Sequence, residues 1–507
     1  MGSPSDTRPY GRTGGSGRGR RVAVVATMGL ALFVIVLNNS SLNIAIPTLM
    51  RDLGAGLATV QWIVDAYSVV FAGLLLAGGA CADRWGRKRV TLAGVAVFGA
   101  ASAVAALADT AWQVVLARVV LGAAAAFVMP GTLAVLIDEF TGRERATAIA
   151  IWSGVASLGV AAGPLLGGLV TASAGWAAVF WLNVAPAAVV VVAGALVVRE
   201  SSDPARGPVE IIGAALSVLA VGSLVFAVIE FGALGYPAPP VVAGAVVAVV
   251  AAVAFAVRHR RAARPLVPRG LLRDGPFLGA SVGNMLLFFG LAGSLFVLTQ
   301  RLQFRFGLDP VAAGLAVAPV ALTVVLASVC SPVLVRRCGD RVAVAAGLGI
   351  VAGGLVVLAA VPAGLAGVLA GLAVVGTGFG VAVPAATGVL VSRVPEERAG
   401  AGAALNDTMQ ELGFALGIAV VGATLNRFFT ASLGADADRA ATLHSEGERA
   451  AVIGGEQGAL IVEQAGAAFD RAATAGLFVA AAAALVAAVL TIVLIPARVG
   501  EHRRSTP

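Results

Sequence analysis

Long apolar segments recur along almost the whole chain, separated by short polar stretches. A helix needs about 20 consecutive apolar residues to cross the hydrocarbon core of a bilayer. By that length the sequence predicts fourteen spanning helices. Their expected positions are 22–46, 60–82, 90–108, 112–136, 146–170, 178–198, 210–231, 239–257, 277–299, 311–334, 342–361, 365–391, 402–425 and 471–495.

Composition places these segments in a membrane and not in a soluble core. Apolar residues make up 59% of the 507 residues and charged residues only 12%. A soluble domain averages about 25% charged residues, which it needs to cover its surface. The sequence therefore predicts an all-α integral membrane protein, and it excludes a large soluble domain.

The distribution of basic residues predicts the orientation of the helices. If both termini are cytoplasmic, 27 of the 35 Lys and Arg residues fall in the cytoplasmic segments. Such an excess follows the positive-inside rule. Two cytoplasmic termini in turn require an even number of spans. The basic character is thereby explained by contact with anionic lipids, and nothing in the sequence indicates nucleic-acid binding.

Two motifs stand at defined places among the predicted spans. The first follows the second span and contains Gly79, Asp83, Arg84, Gly86, Arg87 and Lys88. The second lies inside the fifth span and contains Gly159, Gly163, Pro164, Gly167 and Gly168. Together they resemble the major facilitator superfamily, and specifically its fourteen-span drug:proton antiporters. The resemblance covers roughly residues 22–495.

The resemblance implies a major facilitator fold with 14 transmembrane helices, made of two six-helix halves plus two inserted helices. We expect no stable soluble part beyond the tails and loops. The implied segments are a disordered cytoplasmic tail (1–21), the amino-terminal half (22–198), the inserted pair (199–257), a basic cytoplasmic linker (258–276), the carboxy-terminal half (277–495, with an outer loop at 426–470) and a cytoplasmic tail (496–507).

The resemblance also assigns roles to the motifs. The charged residues of the first motif form a charge-relay clamp that stabilises the outward-open state in this superfamily. The second is the antiporter motif, which separates exporters from uptake symporters. Its glycines let the fifth helix press against a neighbour, and Pro164 permits a bend. Arg118, in the pattern Leu116-x-Arg118-x3-Gly122, matches an arginine linked to proton coupling; the alternative is that it only holds backbone carbonyls between helices.

The scarcity of several residue types limits the energy sources that could drive transport. Lys88 is the only lysine, and no Gly-Lys-Ser/Thr phosphate loop exists in the chain. His259, His444 and His502 fall outside the predicted spans, and the three cysteines lack metal-ligand spacing. We therefore expect no enzyme activity, no cofactor and no metal site. Proton handling within the membrane is left to carboxylates.

Few acids lie within the spans, and each is a candidate functional residue because charge in the bilayer is costly. Asp65 lies near the outer end of the second span. Asp407 and Glu411 share one face of the thirteenth span, beside Asn406 and Gln410. The alternative for these acids is a salt bridge to arginine or a helix cap.

The first span departs from the family pattern at Asn38, where the family typically carries aspartate. An amide cannot carry a proton by ionising, so Asn38 leaves both the proton stoichiometry and a preference for cationic substrates open. The predicted substrate-binding residues are polar or aromatic positions in spans 1, 2 and 13. They are Asn38, Asn39, Asn43, Tyr67, Asn406 and Gln410.

These observations predict a monomeric, proton-driven exporter of amphipathic small molecules in a bacterial cytoplasmic membrane. Its partners would be the small-molecule substrate, protons and membrane lipids. A dedicated exporter of one endogenous metabolite, for self-resistance, is the first alternative. A non-transporting membrane sensor would need a soluble domain, which no segment is long enough to form, and the span-5 motif disfavours an uptake symporter.

Overall fold

The computed structural model describes residues 16–202, 210–262, 265, 269–360, 364–394, 399–433 and 443–496. Fifteen α-helices make up most of this part of the chain, with a short 3-10 helix (Leu271–Arg273) and a π-helical turn (Arg301–Arg305) before and after the ninth. They are α1 (Ser16–Leu53), α2 (Leu57–Trp85), α3 (Arg87–Ala106), α4 (Ala111–Glu139), α5 (Gly142–Ala174), α6 (Ala177–Val197), α7 (Ile211–Leu234), α8 (Pro239–Arg261), α9 (Gly275–Gln300), α10 (Pro310–Cys338), α11 (Asp340–Ala360), α12 (Leu365–Arg393), α13 (Ala399–Leu433), α14 (Leu443–Ile453) and α15 (Gly455–Leu494).

Fourteen of these helices are long and apolar enough to cross a membrane, which confirms the predicted number among the described residues. The spanning helices are α1–α13 and α15, whereas α14 is a short amphipathic helix before the last span. The protein is therefore a multi-pass membrane protein with the predicted all-helical fold.

The ends of several helices are fixed by local hydrogen bonds from polar side chains. The Thr110 hydroxyl accepts from the Gln113 backbone N–H at the start of α4, and the Gln113 side chain accepts from the Thr110 N–H. The Asp309 carboxylate accepts from the Ala312 N–H at the start of α10. Such caps satisfy backbone donors that have no partner within the helix.

A single glycine separates α2 from α3. Gly86 has a φ of +108°, which a residue with a side chain rarely adopts, and it allows the sharp turn between the two helices. The Glu200 carboxylate accepts from the Lys88 and Arg89 N–H groups at the start of α3, at 3.1 and 3.2 Å. The position of the first motif is thus fixed by backbone geometry as well as by charge.

The helices pack as two groups of six, with α7 and α8 added between them in sequence. Helices α1–α6 pack on one another, and α9–α13 pack together with α15. Helix α7 lies along the line where α2 of the first group meets α13 of the second. The Ser217 hydroxyl of α7 donates to the Gly73 carbonyl of α2, and Gly232 of α7 packs against Ala423 of α13. Helix α8 packs on α7.

The two halves meet along α2 and α13 and along α5 and α10. Two glutamine amides donate across this boundary to backbone carbonyls. Gln61 of α2 reaches the oxygens of Ile418 and Ala419 on α13, at 3.1 Å each. Gln303 reaches the oxygen of Ile44 on α1, at 2.8 Å. Both contacts lie toward the helix ends that are predicted to face outside.

Several predicted boundaries are wrong because helices continue through polar residues. Helix α1 begins at Ser16, so residues 16–21 are helical and only 1–15 of the predicted tail lie outside the described residues. Helix α8 continues through His259 to Arg261, which shortens the predicted linker. Parts of that linker (263–264 and 266–268), residues 203–209 of the predicted inserted segment and residues 497–507 of the carboxy-terminal tail also lie outside the described residues.

The predicted outer loop at 426–470 is also wrong for its described part, which is helical. Helix α13 runs on to Leu433, α14 covers Leu443–Ile453, and α15 begins at Gly455. Residues 434–442 lie outside the described residues. A salt bridge anchors this helical segment to the end of α9, because Asp470 pairs with Arg301 and Arg305 at 3.2 and 3.0 Å.

Candidate functional site

A buried arginine of α4 forms the centre of the candidate site. Arg118 is 0% exposed and donates from Nε to the Ile63 carbonyl at 2.8 Å and from Nη2 to the Val64 carbonyl at 3.4 Å. Its guanidinium carbon lies 4.2 Å from the centre of the Tyr67 ring, a cation–π geometry. The side chain is therefore fixed against α2 by the backbone and by an aromatic face. These two hydrogen bonds match the alternative role predicted for Arg118, which is to hold backbone carbonyls between helices.

Asp65 lies on α2 beside this arginine. It is 0% exposed, and neither carboxylate oxygen has a hydrogen-bond partner among the described residues. Arg118 lies within range of electrostatic interaction with it. Neither alternative for this acid, a helix cap or a salt bridge, matches these contacts. An ion in such a place is costly unless a partner or a proton compensates it.

The two acids of α13 face the same region from the other half of the protein. Asp407 and Glu411 are half-buried one turn apart, and they interact electrostatically with each other. Glu411 lies beside Ser68 of α2 and within electrostatic range of Arg118. The structure therefore brings Glu411 of α13 within electrostatic range of Arg118 of α4 across the boundary between the halves, with Asp407 one turn away on α13. Sequence alone placed Arg118 and Glu411 on different helices without showing that they meet.

An amide pair supports the acids of α13 from within the carboxy-terminal half. Asn284 of α9 donates from Nδ2 to Asn406 Oδ1 at 2.8 Å, and Asn406 Nδ2 lies 3.3 Å from Asp407 Oδ1. Sequence reasoning missed Asn284, although an asparagine in the middle of an apolar span was a signal that could have found it. Gln410 is half-buried on the same helix.

The asparagines predicted for substrate binding in α1 separate into different environments. Asn38 is 0% exposed and accepts a hydrogen bond of 3.0 Å from Asn183 of α6, which also lies 3.4 Å from Ser102 of α3. This contact places Asn38 inside the amino-terminal half, as a link between helices. Asn39 is half-buried and Asn43 is buried, and the side-chain oxygen of each lacks a hydrogen-bond partner among the described residues.

The glycines of α5 lie where backbones approach closely. A Cβ atom on Gly163 would collide with the Ser40 side chain, and one on Gly167 would lie 2.6 Å from the Ser41 carbonyl oxygen; both serines are on α1. The Ser40 hydroxyl also donates to the Gly159 carbonyl at 3.1 Å. The predicted close packing of α5 is therefore present, and its partner is α1.

One glycine of the same motif faces the other half. A Cβ atom on Gly168 would collide with the Pro310 carbonyl at the start of α10. In return, a Cβ atom on Gly314 of α10 would collide with the carbonyl of Pro164. Helix α5 therefore contacts α1 of its own half and α10 of the other half through adjacent turns. Any rotation of α5 against α10 has to break this backbone contact.

The charged residues of the first motif form an ion-pair chain at the α2–α3 turn. Arg87 Nε lies 2.9 Å from Asp83 Oδ1, and Arg87 Nη1 lies 3.0 Å from Asp138 Oδ1 near the end of α4. Lys88 donates to the Ala195 carbonyl at the end of α6, at 2.6 Å. The chain therefore ties together the ends of α2, α3, α4 and α6.

The remaining residues of that motif have different environments. Arg84 is exposed, whereas Gly79 lies against Pro130 of α4, with 3.4 Å between a Cβ atom built on Gly79 and the proline Cβ. The charged residues of the motif are thus not equivalent, because Asp83 and Arg87 form an ion pair whereas the Arg84 side chain is exposed at the protein surface.

Comparison with known proteins assigns a family to this fold. A family profile described as Major Facilitator Superfamily matches residues 28–418. The multidrug efflux pump LfrA of Mycolicibacterium smegmatis is 33% identical over 96% of this chain and 98% of its own length. The tetracenomycin C resistance and export protein of Streptomyces glaucescens is 30% identical over 80% of this chain and 76% of its own length.

Solved structures show the same fold at lower sequence identity. A bacterial homologue of the human lysosomal transporter Spinster, in an inward-facing and occupied conformation, superposes with a TM-score of 0.67 at 16% identity, covering 94% of this chain and 96% of that one. The human organic anion transporter MFSD10 gives a TM-score of 0.58 at 16% identity, covering 93% and 99%.

Proposed function

Because the chain belongs to the Major Facilitator Superfamily, we propose that it is a proton-coupled antiporter that exports amphipathic small molecules from the cell. The observation that carries this proposal is that Glu411 of one half lies within electrostatic range of Arg118 of the other, with Asp407 beside Glu411. Acids placed between two moving halves can exchange their proton with either side of the membrane as the halves rock. Two relatives, a multidrug efflux pump and a tetracenomycin C resistance and export protein, support the direction and the substrate class.

The proposed cycle alternates the protonation of these acids with substrate loading. Protons that enter from outside neutralise Asp65, Asp407 or Glu411 and favour substrate release. Deprotonation toward the cytoplasm leaves the acids charged and favours loading of the next substrate molecule. Arg118 stabilises the charged state, because a fixed guanidinium lies within range of Glu411 and Asp65.

The antiporter motif seals the outer side during this cycle. The glycines of α5 have no side chain and lie directly against Ser40 and Ser41 of α1, so little space remains for ions or solute. The contact of Gly168 with Pro310 closes the boundary between the halves at the same level. We propose that the exporter acts as a monomer in a bacterial cytoplasmic membrane, with both termini in the cytoplasm.

The direct test is a substrate panel in a host that lacks its own efflux pumps. The panel contains amphipathic cations, neutral antibiotics and zwitterions, with and without a protonophore. We expect the chain to protect against several compounds and to lose this protection when the protonophore is present. Protection against a single compound would favour the dedicated exporter, and protection that survives the protonophore would contradict proton coupling.

The ion-pair chain at the α2–α3 turn gives a first prediction. Asp83→Asn removes one partner of Arg87, so we expect the export rate to fall at least about tenfold while the dissociation constant of the substrate stays within about twofold. The reason is that Asp83 lies at the α2–α3 turn and not beside the acids of α13. Transport in vesicles and binding to detergent-purified protein are compared.

The matched control for this prediction is Arg89→Gln, which removes an exposed pair with Glu200. Exposed pairs contribute little, so the control should behave as wild type. A loss of binding in Asp83→Asn as large as its loss of transport would contradict a clamp at this position.

Arg118 gives a second prediction, which separates charge from geometry. Arg118→Lys keeps the positive charge, but an ammonium cannot reproduce the planar fork that reaches Ile63 and Val64. We expect export to fall at least about tenfold in a protein that still inserts into the membrane. Wild-type export by Arg118→Lys would mean that charge alone suffices there.

A further inference from the structure

Asn284 lies on α9 next to a close backbone contact with α13. A Cβ atom on Gly413 would collide with the Met285 carbonyl, and one on Gly417 would lie 2.8 Å from Phe289 Cα. These two glycines let the helix backbones touch, so the short Asn284 side chain can reach Asn406 at 2.8 Å. Asn284 is 0% exposed.

The orientation of both amides follows from the carboxylate next to them. An ionised carboxylate only accepts hydrogen bonds, so Asn406 has to present its NH₂ group to Asp407. Its carbonyl oxygen then points to α9 and needs a donor. The NH₂ group of Asn284 is that donor. The donors thus run in one direction, from Asn284 through Asn406 to Asp407.

We propose that Asn284 is a positioning residue, which holds the Asn406 amide so that its NH₂ group faces the carboxylate of Asp407 and thereby sets the pH at which that carboxyl exchanges its proton. This inference rests on the proposed function, in which Asp407 is one of the proton carriers. A donor directed at the ionised form stabilises that form, so its loss moves protonation to higher pH.

Other ionisable groups lie on α13 and on the helices that pack against it. Glu411 is the neighbour on α13 itself, and α9 contributes none because residues 275–300 contain no ionisable side chain. The ionisable groups on the remaining helices that pack against α13 are Arg118, Asp138 and Glu139 on α4, Asp65, Tyr67, Cys81, Asp83 and Arg84 on α2, Glu230 on α7, Arg393 on α12, and Glu456, Glu463, Asp470 and Arg471 on α15.

The test is an infrared pH titration of purified protein in lipid nanodiscs, which needs no substrate. The carboxyl band that disappears in Asp407→Asn belongs to Asp407. We expect the midpoint of this band to move up by about half to one pH unit in Asn284→Ala, a fraction of the roughly one to two pH units that a whole hydrogen bond to a charged group contributes, because Asn406 remains. Asn284→Leu, which refills the volume without a donor, should give the same shift.

A double substitution separates a positioning role from a direct one. If Asn284 acts through Asn406, the midpoint in Asn284→Ala/Asn406→Ala equals that in Asn406→Ala alone. The matched control is Asn183→Ala, which breaks the corresponding amide pair with Asn38 in the other half and should leave the midpoint unchanged. An unshifted midpoint in folded Asn284→Ala or Asn284→Leu, or shifts that add in the double variant, would overturn the inference.

Failure of this inference is distinguishable from failure of the proposed function. If Asp407→Asn keeps wild-type substrate-induced proton release with the most protective compound of the panel, Asp407 is not a carrier and the proposed role of that acid fails. If Asp407→Asn loses proton release but the Asn284 variants titrate as wild type does, only the positioning role of Asn284 fails.

Discussion

Replacement of Gly163 or Gly167 by leucine is expected to abolish export while the protein remains in the membrane. A side chain at Gly163 collides with Ser40, and one at Gly167 meets the Ser41 backbone. Overpacking at such a contact forces the helices apart, and here the displaced helix is the one that also touches α10 of the other half. The measurement is efflux of the most protective panel compound, with the amount of protein in the membrane determined in parallel.

The chain offers a matched control on the same helix. Gly154→Leu places the same side chain at a position where a Cβ atom has no neighbouring atom within 4 Å. We expect this variant to export as wild type does. Near-normal efflux by well-expressed Gly163→Leu and Gly167→Leu would contradict the role of α5 in sealing the outer side.

Removal of the coupling acids is expected to have the second large effect. Asp407→Asn, Glu411→Gln and Asp65→Asn each remove a group that can carry a proton between the halves. A variant without a true carrier still binds or exchanges substrate, but it cannot pump against a gradient. Substrate-induced proton release from purified protein measures whether the proton carrier is lost. Proton-driven transport in vesicles measures whether pumping against a gradient is lost.

Coupling between the acids of α13 sharpens this prediction. Because Asp407 and Glu411 interact, a single substitution should shift the titration of the remaining acid. The matched control is Glu230→Gln, which removes a half-buried acid near the end of α7. If all three variants keep proton release and transport at wild-type size, the carriers lie elsewhere, and a loss of both in Glu230→Gln would identify Glu230 as the carrier. If only Asp65→Asn fails, the acids of α13 contact the substrate instead.

Much of the fold follows from the sequence because each span satisfies its own backbone hydrogen bonds. Length and hydropathy therefore predict fourteen spans without knowledge of their neighbours. The boundaries were less predictable where polar residues continue a helix. The segment around Asp470 contains acids and glycines, but its pairing with Arg301 and Arg305, which directly follow α9, stabilises a helix that hydropathy alone does not indicate.

The sequence predicts which residues belong to the candidate site but not how they are arranged in space. A charged residue in a span is conspicuous, so Arg118, Asp65 and Glu411 were found one by one. Their meeting depends on how α2, α4 and α13 pack, which no spacing along the chain encodes. Asn38 illustrates the same limit, because its position in α1 leaves open whether it faces the other half or, as the structure shows, Asn183 of α6.

The central claim, that export is driven by proton exchange, is tested most directly in proteoliposomes. Purified protein is reconstituted with an acidic lumen and a neutral bath that contains the most protective compound of the panel, and a lumenal pH dye is recorded. The proposal predicts that the compound accumulates above its bath concentration while the lumen becomes alkaline, and that a protonophore or Asp407→Asn with Glu411→Gln abolishes both. Accumulation of the same size without a pH gradient, or without any change in lumenal pH, would contradict it.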